Sequence, residues 1–303
     1  MPRPPTRPPA INGVNASTVL LLAGPWPTLL DALCARFPYL SRDRWLSRFA
    51  RKRVIDPQGQ ALSADAAHVG ETIVHYYREV DDEQVIPFEE IIVHADADLI
   101  IADKPHFLPV TPAGRHVEET LLARLIRRYH EPDLVPLHRI DAGTAGLVMF
   151  SRNPATRATY QALFRKQRIN KRYEALAPPL PDLDFPLLRQ SRIVAGEPFY
   201  RMREVDGEPN AQTRIEVIDR GETLWRYALF PVSGRQHQLR VQMASLGAPL
   251  LNDDVYPAID RRNHDDFRRP LQLLARALEF GDPISGEQRC FESTRALLTI
   301  SDD

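Results

Sequence analysis

The spacing of apolar residues first predicts a small helical region. From Leu29 the apolar positions recur at helical intervals, which predicts one amphipathic helix and then a second within FPYLSRDRWLSRFARKR. A turn near Asp56-Pro57-Gln58-Gly59 and a later Gly70 separate short β-prone stretches, so we expect a small hairpin after the helices. The pattern predicts a small α/β module over residues 17–85.

A different pattern begins at about Ile91. Short runs rich in β-branched or aromatic residues, bounded by Gly, Pro or Asp, predict strands in LIIADKP, PLHRID, GLVMFS, RYEAL, RIEVID, WRYALFPV and HQLRVQMASLG. Helical spacing occurs at Val117–Tyr129, Pro154–Arg165 and Gln236–Leu246, the last overlapping the final run. Strands and helices do not alternate regularly. We therefore predict an α+β domain over residues 86–303, built on a mainly antiparallel mixed sheet.

The N-terminal residues follow neither pattern. Five of the first nine residues are proline, so we expect residues 1–16 to form a flexible, extended arm. The apolar run Val19–Ala23 is too short for a signal-peptide core or a membrane span, and no targeting segment or membrane association is expected. Cys34 and Cys290 stand far apart without a CxxC pair, which favours a reducing, cytoplasmic setting over a disulfide framework or a zinc site.

Charge limits how the chain could bind nucleic acid. With 39 basic and 40 acidic residues, the net charge is −1, so RNA binding would depend on local basic patches. The second predicted helix carries such a run, opposed locally only by Asp43: Arg42, Arg44, Arg48, Arg51, Lys52 and Arg53. The run is interpreted either as a solvated helix face or as a surface for phosphate contacts.

The segment HRIDAGTAGLVMF carries the candidate chemistry. An extended entry reaches Asp141, a loop with Gly143 and Gly146 follows, and an apolar strand resumes. In an extended chain Arg139 and Asp141 project to one side, Ile140 packs away from that side, and His138 faces opposite to Arg139. Taken alone, these residues favour an ordinary surface ion pair over a catalytic site.

The same segment resembles the HRLD and TSG motif of the RluA family of pseudouridine synthases. KRYEAL at 171–176 matches the family's tyrosine segment, and GRQHQLRVQMASLGAPLLNDDVYP follows its GRxHQLRxHxxxLGxPIxGDxxY pattern. LQLLARALEFGDPISGE is similar to LxLHAxxLxFxHPxxG, and the resemblance spans about Ile91 to Glu287 in the family's order. FPYLSR, the basic helix and VGETI resemble the small RNA-binding module named after ribosomal protein S four.

The resemblance implies a role for each matching residue. It makes Asp141 the group that attacks the ribose or the uracil, or takes a proton from the sugar, and it places Arg240 where a guanidinium favours the charged carboxylate. Tyr173 would stack on the base, Arg139 would replace the flipped base in its stack, and Leu273 would close the pocket. Further residues expected around the substrate are Thr144, Arg235, His237, Gln238 and, through a structural hydrogen bond, His138.

The implied reaction also limits cofactors and partners. Converting uridine to pseudouridine moves one bond from N1 to C5 without net redox change, so no cofactor, metal or nucleotide is expected, and the sequence lacks HExxH and a glycine-rich phosphate loop. The expected substrate is structured RNA, either ribosomal large-subunit RNA or transfer RNA, acted on by a monomer. The family pattern is broken at Ile140, Ala145, Gln242, Asn252, Leu274 and Asp282. A catalytically inactive RNA-binding or ribosome-assembly protein with the same fold therefore remains the alternative.

Overall fold

The computed structural model describes residues 8–260 and 266–299. The chain divides into two compact units. Unit 1 comprises residues 1–83, 113–118 and 123–132, and unit 2 comprises residues 84–112, 119–122 and 133–303. The first break between the units falls after Glu83, and the RNA-binding and catalytic domains expected on either side of residue 85 stay predictions. Two short stretches that the sequence assigned to the second domain group instead with unit 1.

Unit 1 contains two helices in its first segment, most of a third helix in residues 123–132, and a three-stranded antiparallel sheet in the order β1-β3-β2. Its first elements in chain order are β1 Ser17–Leu21, α1 Leu29–Arg36, α2 Arg42–Ala50, β2 Val54–Ile55 and β3 Thr72–Tyr76. Each helix begins at a side-chain cap: Thr28 accepts a hydrogen bond from the backbone N–H of Asp31 at 3.1 Å, and Ser41 accepts one from that of Arg44 at 3.3 Å. The predicted pair of helices is therefore present, although α2 is shorter than the segment that predicted it.

The core of unit 1 lies between these helices and the sheet. Leu33, Trp45 and Val74 are fully buried at its centre. The predicted turn after β2 is also present, because the carboxylate of Asp56 accepts hydrogen bonds from the backbone of Gln58 and Gln60.

The predicted N-terminal arm is only partly within the described residues. Residues 1–7 lie outside them. Residues 8–16 are not the extended, solvated chain that we expected, because Ile11 and Val14 exchange backbone hydrogen bonds of 3.0 and 2.8 Å across a turn. Val14 and Ala16 are buried, and Val14 packs against Val117 and Ala123 of the same unit.

Unit 2 is built on an eleven-stranded sheet in the order β10-β9-β11-β12-β8-β13-β7-β5-β4, with β14 paired to β13 and β6 to β7. Among the described residues all its strand pairs are antiparallel except β13 with β7. The predicted α+β class with a mainly antiparallel mixed sheet is confirmed. The strands are β4 Ile91–Ala95, β5 Leu99–Lys104, β6 Val135–Pro136, β7 Ala145–Ser151, β8 Asn170–Ala177, β9 Leu187–Ala195, β10 Met202–Val205, β11 Ala211–Arg220, β12 Trp225–Pro231, β13 Leu273–Gly281 and β14 Gln288–Glu292.

The remaining helices fall inside the three predicted helical segments and are shorter than those segments. They are α3 Leu121–Tyr129, α4 Arg157–Arg165 and α5 Gln238–Ser245. The strand reading of HQLRVQMASLG was wrong, because α5 occupies most of it. The strand reading of PLHRID was also wrong beyond Pro136, since residues 137–141 form a loop.

This topology brings the candidate residues to neighbouring elements. Asp141 lies in the loop before β7, Tyr173 lies in β8, and Leu273 is the first residue of β13. Because β8, β13 and β7 are adjacent in the sheet, these three positions lie near one another. Arg240 approaches from the first turn of α5.

Candidate active site

A cavity of about 100 Å³ lies where these elements meet. Nine of the ten residues that the sequence assigned to catalysis or substrate binding line it. They are Arg139, Asp141, Thr144, Tyr173, Arg235, His237, Gln238, Arg240 and Leu273. Ile140 also lines the cavity, although the alternation of an extended chain had turned it away, because the chain from residue 137 bends instead of continuing as a strand.

The loop that carries Asp141 is fixed through its carbonyl groups. The ammonium of Lys104 donates hydrogen bonds to the carbonyl of Ala142 at 3.0 Å and to its neighbour Pro105 at 2.9 Å. Nδ1 of His106 donates to the carbonyl of Gly143 at 2.7 Å. Lys104 at the end of β5 and His106 just after it thereby hold the carbonyl groups of the two residues that follow Asp141, and no local sequence pattern points to these contacts.

Lys104 is buried and His106 is partly buried. Burial lowers the pKa of Lys104 well below its ordinary value, and the charge of Asp141 only partly opposes this effect. Burial lowers the pKa of His106 to about 4 in spite of its bond to Gly143, so its ring is neutral at pH 7. A neutral imidazole with its proton on Nδ1 fits its contact with a carbonyl oxygen.

Arg240 joins three carboxylates. Its Nε and Nη2 donate to the two oxygens of Asp253 at 2.8 and 2.6 Å, a two-pronged contact that fixes the plane of the guanidinium. Nη2 also reaches Asp254 at 3.0 Å, while Nη1 donates to Oδ2 of Asp141 at 3.1 Å. Asp253 has no exposed side-chain surface, whereas Asp141 retains 28% of its side-chain surface open to the cavity.

The charge state of Arg240 is set by these partners. Burial by itself would lower the pKa of the guanidinium, but the hydrogen bonds of Asp253 and the charges of Asp141 and Asp253 raise it above its ordinary value. Arg240 is therefore a permanent positive charge beside Asp141. This is the placement that the family resemblance implied.

Tyr173 and Leu273 form the apolar side of the cavity. β8 and β13 pair in a register that sets Tyr173 opposite Ala275 and Leu273 opposite Ala175. Tyr173 packs against the buried cluster that contains Leu273. Burial first, and the negative charge of Asp141 second, raise the pKa of the Tyr173 phenol, so the hydroxyl keeps its proton at neutral pH.

His237 stands on the polar side, immediately before α5. Its Nε2 lies 3.8 Å from Oδ1 of Asp141, and its Nδ1 lies 3.1 Å from the hydroxyl of Tyr256. Burial lowers the pKa of His237, and the charge of Asp141 opposes that shift. The backbone of His237 has φ +54°, a left-handed conformation that points its ring back toward the cavity residues rather than along the helix.

The other lining residues differ in how free they are to meet a substrate. Arg139 and Arg235 are exposed at the rim. Thr144 is buried, and the side chain of Gln238 is occupied by the protein: its oxygen accepts from Ser233 and the backbone of Arg235, and its nitrogen donates to Thr213 and the backbone of Gln212. Gln238 thus braces the loop before α5.

His138 is the predicted residue that does not line the cavity. Its Nε2 accepts a hydrogen bond of 3.1 Å from the backbone N–H of Met149, and its ring stacks on Phe164 with centroids 4.8 Å apart. Burial lowers its pKa to about 3, so the ring is neutral. The structural hydrogen bond expected of His138 is therefore present, and no direct contact with the substrate is assigned to it.

The departures from the family pattern have local structural explanations. Asn252, where the family has glycine, adopts φ +63°. The amide of Gln242 accepts from Thr213 at 2.6 Å and donates to Ser191 at 3.0 Å. Leu274 is buried in the core, and Asp282 accepts hydrogen bonds from Tyr160 and from the backbone of the turn after β13. None of these four lines the cavity.

The basic run of unit 1 is less exposed than its sequence suggested. Arg48 is 5% exposed and lies over the ring of Trp45 at 4.8 Å, so it is not available to phosphates. Arg42 pairs with Asp31, while Arg51, and more distantly Arg53, approach Glu79. Besides Asp43 within the run, acidic residues distant in sequence therefore pack beside it. Arg44 and Lys52 remain exposed and have no ion pair among the described residues.

Comparisons with known proteins identify the family. Residues 98–245 match the model of the RNA pseudouridylate synthase family. An uncharacterized RNA pseudouridine synthase from Synechocystis is 30% identical over 236 residues, which cover 75% of this chain and 79% of that protein. Ribosomal large subunit pseudouridine synthase D of Zymomonas mobilis is 30% identical over 290 residues, covering 86% of this chain and 88% of the relative.

A solved structure supports the fold independently. Human RNA pseudouridylate synthase domain containing 1 superimposes with a TM-score of 0.55 at 21% identity, covering 70% of this chain and 91% of that one. The fold and the sequence matches together show that the chain is a pseudouridine synthase. The chain belongs to the RluA family of these RNA-modifying isomerases, and its substrate is RNA. Within residues 8–260 and 266–299, no helix combines the length and apolar character needed to span a bilayer.

Proposed function

We propose that Asp141 is the catalytic carboxylate of this enzyme, with Arg240 as its charge partner and Tyr173 as the surface on which the uracil stacks. The contact that carries the proposal is the 3.1 Å hydrogen bond from Arg240 to Asp141. A buried guanidinium already held by Asp253 keeps a negative carboxylate stable when a bound base excludes water. Because the Asp141 side chain is partly exposed, its oxygens are accessible to a ligand.

The reaction requires three events at this cavity. The N1–C1′ bond of uridine breaks, the uracil turns, and C5 bonds to C1′ in place of N1; C5 then loses its proton and N1 gains one. Asp141 attacks the ribose or the uracil, or takes a proton from the sugar, and each of these roles needs the ionised carboxylate. Tyr173 holds the planar ring during its rotation, while Leu273 on the neighbouring strand limits its movement.

The target uridine has to leave its stack to reach Asp141, which costs a few kcal/mol. Arg139 is exposed at the rim of the cavity, where its planar guanidinium can take the place that the base vacates. Arg235, exposed on the other loop of the rim, is suited to a backbone phosphate.

We further propose ribosomal large-subunit RNA as the substrate, with transfer RNA as the alternative. Support comes from the Zymomonas relative, whose name assigns it to the large ribosomal subunit and which aligns with most of this chain. Unit 1 would act as an RNA-binding module through Arg44 and Lys52, the two members of its basic run that stay exposed and unpaired among the described residues. A cytoplasmic monomer without cofactor or metal accounts for this function.

The test is a complementation experiment. Total RNA from a strain lacking the protein is subjected to pseudouridine-specific chemical mapping, and the strain is then complemented with the wild type or with Asp141→Asn. The wild type should restore each lost site. The variant, which keeps the size of the side chain but removes its charge, should lower pseudouridine formation about 1,000-fold or more. Full restoration by Asp141→Asn would overturn the catalytic role.

The experiment also separates the enzyme from a catalytically inactive RNA-binding protein of the same fold. If the chain were such an inactive protein, its deletion would remove no pseudouridine. No contact in the cavity favours that alternative, since Asp141, Tyr173 and Arg240 are all present and adjoin one cavity.

A further inference from the structure

The hairpin between β9 and β10 exposes two aromatic side chains at its tip. Phe199 is 90% exposed and Tyr200 is 40% exposed, and their rings meet edge to face with centroids 5.5 Å apart. The tip is an ordered turn, because Gly196 N–H donates to the carbonyl of Arg201 at 2.8 Å and Arg201 N–H donates to that of Pro198 at 2.7 Å. An exposed phenylalanine held on an ordered turn presents a flat apolar face to solvent.

This tip is connected to the catalytic cavity by hydrogen bonds within unit 2. The backbone N–H of Met202, the first residue of β10, donates to the hydroxyl of Tyr256 at 2.7 Å, and that hydroxyl lies 3.1 Å from Nδ1 of His237. His237 in turn faces Asp141 at 3.8 Å. Gln236, in the loop before α5, reaches the carbonyl of Tyr200 at 3.5 Å. The exposed rings therefore stand beside the loop that forms one wall of the cavity.

The charges at the tip suit a polyanion. Residues 196–203 carry one acidic side chain, Glu197, and two basic ones, Arg201 and Arg203. Arg201 is engaged internally, since it lies over the ring of Tyr256 and donates to the carbonyl of Pro257. Arg203 is exposed on β10, and Arg235 is exposed at the cavity rim.

An RNA bound at this site contains bases on which such a ring can stack. When the target uridine leaves its stack, the bases beside it lose a stacking neighbour, and unpaired bases in RNA are commonly bound by stacking on aromatic side chains. Every base has a flat face, so a phenylalanine can take this role without reading one particular base.

We propose that Phe199, braced by Tyr200, stacks on an unpaired base of the RNA close to the target uridine. The proposal rests on the proposed function, because it takes the cavity of Asp141 as the place where the uridine is bound. It assigns to the β9–β10 hairpin a part in holding the substrate, separate from the chemistry at Asp141. It requires no movement of the hairpin, whose turn is already formed.

Binding of a fluorescein-labelled RNA hairpin with uridines in its loop tests the proposal, with fluorescence anisotropy as the measurement. Phe199→Ala should weaken binding about 5- to 150-fold, the range expected for the loss of one stacked base. Phe199→Trp should bind like the wild type, whereas Phe199→Leu, which keeps apolar surface but no ring, should be as weak as the alanine variant. The matched control is Ile284→Ala, which removes another exposed apolar side chain, 53% exposed, from the turn between β13 and β14 and should change nothing.

A second measurement detects the stacking of Phe199 on a base directly. With 2-aminopurine placed beside a loop uridine, the wild type should quench the fluorescence of this base and Phe199→Ala should not. Unchanged affinity of Phe199→Ala, full binding by Phe199→Leu, or an equal loss in Ile284→Ala would overturn the proposal. A dimer of the wild type that Phe199→Ala dissolves would assign the tip to a second copy of the chain and would overturn it too. Failure of the catalytic proposal, seen as full activity of Asp141→Asn, leaves these binding results untouched.

Discussion

In the cavity, some residues contribute charge and others contribute an apolar surface. Arg240 donates four hydrogen bonds to carboxylates. Two go to Asp253, whose side chain is buried, and one goes to Asp254. The fourth, from Nη1, goes to Asp141. The position of the Asp141 carboxylate thus depends on Asp253, which does not line the cavity. Tyr173 adds the apolar face, and because burial raises the pKa of its phenol, the hydroxyl stays protonated at neutral pH and is not a standing base.

Tyr173→Phe separates stacking from hydrogen bonding. The ring remains, so RNA affinity should stay within about threefold of the wild type, since the stacking contribution is retained. The rate of pseudouridine formation under single-turnover conditions should fall about 100-fold, because the hydroxyl that assists proton movement is gone. Tyr173→Leu serves as the control and should lose affinity as well as rate. A phenylalanine variant with the wild-type rate would remove the hydroxyl from the mechanism.

At the scale of elements, the parallel pair β7 and β13 positions the site. Asp141 lies just before β7, and Leu273 begins β13. Gly146 in β7 has φ +110°, and a Cβ at this position would lie 2.3 Å from the carbonyl oxygen of Ala275 in β13. The close approach of the two strands explains why a glycine stands after Ala145 in this motif.

Gly146→Ala should therefore disturb both strands. The unfavourable backbone angle and the clash together should lower the free energy of unfolding by about 3 kcal/mol or more. Pseudouridine formation should fall as well, because Asp141 and Leu273 are no longer held at their present separation. Thermal unfolding and single-turnover rates measure the two effects. Gly286→Ala is the matched control: it also has positive φ, +77°, but no atom within 4 Å of its added Cβ, so a comparable loss there would exclude the clash as the cause.

The elements also show what the sequence could and could not predict. The resemblance to the family's motifs selected Asp141, Tyr173 and Arg240, and all three line one cavity. It missed Lys104 and His106, since their bonds to Ala142 and Gly143 join residues 38 and 37 positions apart, which no local pattern records. It also missed β1, because the apolar run at Val19–Ala23 was weighed as a signal-peptide core, while its antiparallel pairing with β3 depends on residues more than fifty positions later.

For the whole molecule, the balance of charges decides how RNA is held. The net charge of −1 gives no overall attraction for a polyanion. Many basic side chains are moreover bound to acidic ones, as Arg42 is to Asp31 and Arg51 is to Glu79. The electrostatic part of the affinity must therefore come from exposed basic residues that lack such partners, and we propose Arg44 and Lys52 of unit 1 among them.

Salt dependence of RNA binding measures that contribution. Each phosphate contact contributes about 0.7 to 0.9 to the slope of log K against log salt concentration, so a double variant, Arg44→Ala with Lys52→Ala, should reduce the slope by about 1.4 to 1.8. The matched control removes the same charge elsewhere, through Arg165→Ala with Lys166→Ala at the exposed end of α4, which contributes no residue to the cavity. That control should leave the slope close to the wild-type value. An equal reduction in both variants would mean that RNA binding depends only on the total charge of the chain. The basic run of unit 1 would then have no specific part in RNA binding.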